Sequence, residues 1–247
     1  MEALKKKEIG QFVAEDFRTA AVFSEYGIDF CCRGNRPLDE VCNKNNISLE
    51  EVLEKLSIST TKVENTQAYN TWPLDLLATY IEKTHHKYVE SKTPVLKQFL
   101  AKLCKVHGER HPELVQINEL FEEVAGELSQ HMKKEELVLF PRIKKMVHSM
   151  EENKPLEPAH FGTVQNPIAM MEHEHDTAGE IFRNLARLTS NYTPPEDACN
   201  TYRVAFSMLD EFEKDLHVHI HLENNILFPK ALKLEQKLFA NANSCSL

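Results

Sequence analysis

Two copies of one pattern in the second half of the chain limit what it can fold into. His131-Met-Lys-Lys-Glu135 runs on to Phe140-Pro141, and His219-Ile-His-Leu-Glu223 runs on to Phe228-Pro229. The His-to-Glu step and the offset to Phe-Pro are the same in both. Residues four apart stack on one face of an α-helix, so an imidazole and a carboxylate so placed can grip one metal ion from a single helix. Two such helices can hold a metal pair.

Walking by threes and fours from each motif stays on apolar residues. Val124, Leu128, His131, Glu135 and Val138 form one stripe, and Phe212, Leu216, His219, Glu223 and Ile226 another. Two further stripes read Leu77, Ile81, His85, Val89 and Ile168, Met171, His175, Phe182, the last with a gap near Gly179. The pattern predicts four long helices, from about Pro73 to His107, Pro112 to His148, Ile168 to Ser190, and Tyr192 to Leu238. Pro141 and Pro229 lie inside two of them and should kink them. The polar, proline-bearing stretch 149–167 makes a long crossover, as in a four-helix bundle.

Residues 1–58 read as a separate small helical domain. Ile9, Phe12, Val13, Phe17, Ala20 and Phe23 recur at helical spacing, and Ser48-Leu-Glu-Glu51 is a capping box. Between them lies Asp29-Phe30-Cys31-Cys32-Arg33-Gly34. The polar, aperiodic stretch 59–71 is expected as a linker, and 72–247 as the bundle. The fold class is therefore all-α.

A formal charge of -9 without a basic stripe argues against nucleic acid or an anionic membrane as partner. No uncharged apolar run approaches the roughly 20 residues of a spanning helix, and the first residues lack a signal-peptide core. A cytoplasmic protein is expected. Six cysteines without a CxxC pair or a regular framework fit a reducing compartment. Adjacent Cys31 and Cys32 would make a badly strained disulfide. Both cannot point into the same core, and Arg33 should favour the thiolate of the accessible one. Cys42, Cys104, Cys199 and Cys245 show no partner logic.

The four stripes place His85, His131, His175 and His219 with Glu135 and Glu223 at one level. His85 precedes His131 by 46 residues and His175 precedes His219 by 44, the mark of a duplicated helix pair. Either His-x-x-x-Glu step alone is no more than a solvated contact. Two in register with two seam histidines are different, because burying six polar groups without a cation is costly. The set is too large for one tetrahedral zinc and too rich in nitrogen for calcium or magnesium. It suits paired iron or manganese, each ion taking two histidines and sharing both glutamates, with an open position for O₂ or NO. His86, His173, His217 and His221 have mostly polar helical neighbours and read as surface residues, with His173 and His221 as candidates for supporting contacts.

Asp29-Phe30-Cys31-Cys32 after Tyr26-Gly27, together with His131-Met-Lys-Lys-Glu135-Glu136, Glu174-His175-Asp176 and His219-Ile-His-Leu-Glu223-Asn224-Asn225, resembles the RIC family (repair of iron centres). The resemblance spans nearly the whole chain and implies a hemerythrin-like bundle behind a small Cys-Cys domain. It further implies two iron ions per chain, oxo- or hydroxo-bridged, on His85, His131, Glu135, His175, His219 and Glu223. The implied function is repair of iron–sulfur clusters damaged by nitric oxide or peroxide, with damaged iron–sulfur proteins as partners and Cys31 and Cys32 as the reactive thiols. Arg33 departs from the family, where glycine commonly follows the cysteine pair. The alternatives are an enzyme reducing NO or peroxide at the same metal pair, and a hemerythrin-type O₂ carrier or sensor. Residues 1–58 could dock on their own bundle or join two chains as a homodimer.

Overall fold

The structure, a computed structural model, describes residues 2–61 and 68–244; residues 62–67 of the expected linker and Cys245 lie outside the described residues. After one helical turn at Glu2–Lys5 come α1 (Ile9–Glu15), α2 (Thr19–Glu25), α3 (Leu38–Asn45) and α4 (Leu49–Thr61). The apolar periodicity that runs through Ile9 and Phe23 is thus two helices. Asp16 separates them: its carboxylate accepts the Arg18 backbone N–H at 3.1 Å and also pairs with the Arg18 guanidinium, a local bond that competes with the helix. The capping box forms, with the Glu51 N–H donating to Ser48 Oγ at 3.3 Å.

Four long helices follow. α5 comprises Leu74–Ile81, Glu82–His86 and Lys87–His107; α6 comprises Glu113–Lys134, Glu135–Leu139 and Phe140–Glu151. α7 is Gln165–Leu188, and α8 comprises Asn200–Leu222, Glu223–Leu227 and Phe228–Ser244. α8 starts at Asn200, later than its proline signal suggests, and the connection from α7 opens with Ser190, Asn191 and Tyr192 in left-handed backbone angles (φ 51 to 57°). α6 packs against both α5 and α7, and α8 closes the bundle against α5. The chain is a four-helix bundle preceded by a small helical region. Among the described residues no helix is long and apolar enough to cross a membrane.

The middle segment of α5, α6 and α8 is in each case a π turn. A π turn closes on the fifth residue instead of the fourth, so every side chain beyond it shifts by one place. In α6 and α8 it also explains the prolines. Pro141 and Pro229 cannot donate to Leu137 and Asn225, the residues four before them, and both of those lie within a π turn. The shift turns Leu139 and Phe140 inward and leaves Val138, expected in the stripe, half-buried.

Two apolar clusters fill the molecule. One gathers the small helices with Val89, Leu128, Phe182 and Phe212; the other holds Leu77, Ile81, Phe140, Ile168, Leu227 and Phe228. Along each long helix the polar residues of interest fall where the two clusters meet, as at His175 between Met171 and Ala178.

The small helices pack on their own bundle. Asn225 Nδ2 donates to Phe30 O at 3.2 Å, and α1 crosses the α8 π turn. That approach needs Gly10, because a Cβ there would stand 2.2 Å from Asn225 Oδ1.

Candidate metal centre

Two groups of buried side chains could each hold a metal ion. The first is His86, Glu135, His219 and Glu223; the second is His131, Glu135, His175 and Glu223. Within each, the candidate ligand atoms lie within 4.8 Å of one another, and both glutamates belong to both groups. His131 Nε2 is 3.3 Å from Glu135 Oε2, His219 Nε2 is 3.1 Å from Glu223 Oε1, and His175 Nε2 is 3.1 Å from Glu223 Oε2. The His131 and His175 Nε2 atoms are themselves 3.1 Å apart.

One position differs from the sequence reading. His85 lies outside both groups, and His86, expected on the surface, is fully buried with Nε2 3.3 Å from Glu135 Oε2. The π turn is the cause. Counting four from buried Ile81 reaches His85, but a π turn counts five and reaches His86. His85 is buried too, its Nδ1–H donating to Asp215 Oδ1 at 3.0 Å and its ring stacked on His219. Of the two histidines named as candidates for supporting contacts, His221 is buried with Nδ1 3.0 Å from Asn225 Nδ2, whereas His173 is exposed.

Three of the four inward imidazoles are oriented from behind. Glu136 Oε1 accepts from His86 Nδ1 at 3.0 Å, Glu174 Oε2 from His131 Nδ1 at 2.9 Å, and Asn224 Oδ1 from His175 Nδ1 at 2.8 Å. Because the partner atoms are acceptors, the Nδ1 atoms carry hydrogens and the Nε2 atoms are the ones free to ligate.

The electrostatics match a cation site. Burial pushes the Glu223 carboxyl up, but His219 and His175 outweigh it and hold it well below the usual carboxylate range. Burial and the Glu223 charge push Glu135 up, yet His131 and His86 bring it down. Burial disfavours a charged His131, but Glu135, Glu174 and Glu223 carry it up to about 10. The His131 hydrogen bond, aided by Lys134, holds Glu174 down to about 2 against burial. A cation entering this cage therefore competes with protons. Both Glu135 oxygens, Glu223 Oε2 and His86 Nε2 are buried without a hydrogen bond. Bare buried acceptors are costly, and metal coordination satisfies them. The donor set of four imidazoles and two carboxylates fits paired iron or manganese.

The cysteine pair sits beside this cage. The two sulfurs are 3.7 Å apart; Cys31 is buried in the core and Cys32, half-buried, packs against the same cluster although the two were not expected to share one core. Cys32 Sγ donates to His175 O at 3.4 Å and fills the gap at Gly179, where a Cβ would meet it at 3.2 Å. Asn224 Nδ2 donates to Cys31 O at 3.5 Å while its Oδ1 holds His175. The Cys31 thiol is pushed well up by its bond with Cys32, by burial and by the Asp29 charge. The cation facing Asp29 is Arg183, with Nη1 3.2 Å from Asp29 Oδ2. Arg33 has no left-handed backbone angle, so this position does not require a glycine. Cys199, expected to be incidental, has His107 Nε2 3.2 Å from its sulfur.

The comparisons agree with this architecture. A model of the hemerythrin HHE cation binding domain matches residues 77–231, and the ScdA_N model, a domain of unknown function, matches residues 5–59. The iron-sulfur cluster repair protein YtfE of Musicola paradisiaca (strain Ech703) is 33% identical over 236 residues, covering 94% of this chain and 98% of that protein. YtfE proteins of Yersinia pestis (strain Pestoides F) and Yersinia pseudotuberculosis serotype IB (strain PB1/+) are each 33% identical over 231 residues, covering 94% of this chain and 99% of theirs. With both domains matched and a cation cage built across all four helices, the chain belongs to the YtfE family of iron-sulfur cluster repair proteins.

Proposed function

We propose that this chain repairs iron–sulfur clusters damaged by nitric oxide or peroxide by supplying iron from a site that holds two iron ions. One observation carries the reading: two four-residue groups share Glu135 and Glu223 at the meeting point of two apolar clusters. His86 and His219 serve one ion, His131 and His175 the other, and the two carboxylates serve both. Bound iron would supply redox activity and a position for a small ligand such as NO or O₂. The protein's own part is to hold each Nε2 inward through Glu136, Glu174 and Asn224, and to keep bulk water out with Ile81, Phe140, Phe182 and Phe228. Residues 1–58 act as a thiol-bearing domain beside the cage, 72–247 as the metal-holding bundle, and the clients are damaged iron–sulfur proteins of the cytoplasm.

Metal analysis with a Mössbauer spectrum of the isolated protein tests this. About two irons per chain are expected, falling sharply when Glu135 and Glu223 are both replaced by Gln. The loaded protein should restore an enzyme whose cluster NO has damaged, and the double variant should not. An unchanged iron count in the double variant, or repair that ignores it, overturns the reading.

A further inference from the structure

We propose that Asp29, Cys31 and Cys32 form a second metal station, separate from the cage, for a thiophilic divalent cation of the iron(II), cobalt(II) or zinc(II) class. Their candidate ligand atoms lie within 4.8 Å of one another. The sulfur separation of 3.7 Å is the decisive quantity. Two thiolates holding one ion at about 2.3 Å in tetrahedral geometry stand about 3.8 Å apart. Adjacent residues seldom present their side chains so; here Asp29 folds the loop by accepting the backbone N–H groups of Cys31, Cys32 and Arg33 at 3.1, 3.0 and 3.3 Å. Those same bonds fix the carboxylate in place as a third ligand.

The charge is balanced as well. Two thiolates and a carboxylate carry three negative charges, a divalent ion removes two, and Arg183 on Asp29 Oδ2 answers the third. Binding needs no electron transfer: each thiol forms a sulfur–metal bond and gives its proton to solvent. Access is provided by a cavity of about 200 Å³ lined by both cysteines, Glu172, Asp176, Asn224 and Asn225, whose two carboxylates attract cations. Cys32 Sγ reaches the His175 carbonyl at 3.4 Å, so the station lies next to one face of the cage. Its use as a stopping point for iron leaving the cage rests on the repair reading; the binding itself rests on the loop alone.

Titration with cobalt(II) of the full-length protein, its cage already loaded, is the test. One further equivalent should bind and give a thiolate-to-cobalt charge-transfer band in the near ultraviolet. The band should vanish in Cys31→Ser/Cys32→Ser while cage metal is kept, and circular dichroism checks that this variant is folded. Gly179→Ala, which crowds the Cys32 sulfur without removing a ligand, should weaken the further equivalent about ten-fold. In Glu135→Gln/Glu223→Gln the cage should empty and the band persist, which separates failure of the cage reading from failure of this one. A missing band, or one that survives the double serine substitution, overturns the station.

Discussion

Asn224 Oδ1 accepts the Nδ1–H of His175 at 2.8 Å, and through its amide nitrogen the same residue reaches Cys31 O at 3.5 Å. One side chain therefore orients an imidazole of the cage and fastens the cysteine loop against it. The docking of the small helices and the aim of a candidate ligand are not independent.

Replacing Asn224 by Leu should lower metal affinity at the His131–His175 group by roughly ten- to a hundred-fold, the usual effect of losing a partner behind a metal-binding histidine. Asn225→Ala removes the neighbouring bond to Phe30 O at 3.2 Å but touches no imidazole of the cage. It should loosen the small helices, seen as faster backbone hydrogen exchange in α1 and α2, with metal content unchanged. Equal metal loss in both variants would mean that docking as a whole, and not the His175 bond, sets the affinity.

His85 and His86 give a sharper contrast. His86→Ala should strip the ion shared with His219, so that bound metal falls from about two per chain to one or fewer. His85→Ala should leave the metal count intact and cost only stability, because it removes the ring stacked on His219 and orphans Asp215. The cost should be about 1–3 kcal/mol, the range for leaving a buried polar partner unpaired. Metal loss in His85→Ala alone would reverse the assignment.

Much of the cage was legible because four-residue steps survive any detail of packing. His131 with Glu135 and His219 with Glu223 needed only an α-helix, and both pairs meet as counted. The His85–His86 doublet was ambiguous because a π turn leaves no side-chain signature of its own in α5. In α6 and α8 the signal was present in Pro141 and Pro229, whose missing N–H groups ask for such a turn, but it reads as a kink. The break at Asp16 escaped periodicity because a local side-chain bond interrupts the helix without interrupting the apolar spacing. The placement of Cys32 against Gly179 was out of reach, since it joins residues far apart in the chain.

Glu213 makes stability depend on pH. Burial raises its carboxyl above the ordinary 4.5, and Asp210 adds to that, while the Tyr192 hydroxyl, Arg183 and Lys214 oppose. Burial lowers the affinity of His217, 3.9 Å away, for a proton, so it opposes the raised Glu213 value less than an ordinary histidine would. The folded state thus binds this proton more tightly than the unfolded chain. Its contribution is fully present below pH 4.5 and is lost as pH rises through the raised value. Glu213→Gln should therefore gain melting temperature over the parent as pH increases above 4.5, with little difference below. A difference between the two that does not vary with pH would contradict the burial argument.

The far end of the bundle carries a buried ion pair whose partners can be separated. Arg142 and Glu235 are both buried, with Nη2 3.8 Å from Oε1, and Glu235 also accepts the Val164 N–H at 3.2 and 3.1 Å. Arg142 Nη1 donates to Glu157 O at 2.6 Å, which pins the crossover, but its Nε and Nη2 have no other partner. Glu235→Leu leaves a buried guanidinium without its counter-charge and the Val164 N–H without an acceptor. About 3–5 kcal/mol of destabilisation is expected. Arg142→Met/Glu235→Leu removes both charges together and should regain most of that loss, since burying the pair gains little over well-packed apolar side chains. Chemical denaturation of the two variants decides the matter. If the double variant is no more stable than Glu235→Leu, the cost lies in the Val164 bond and the crossover, not in the unpaired charge.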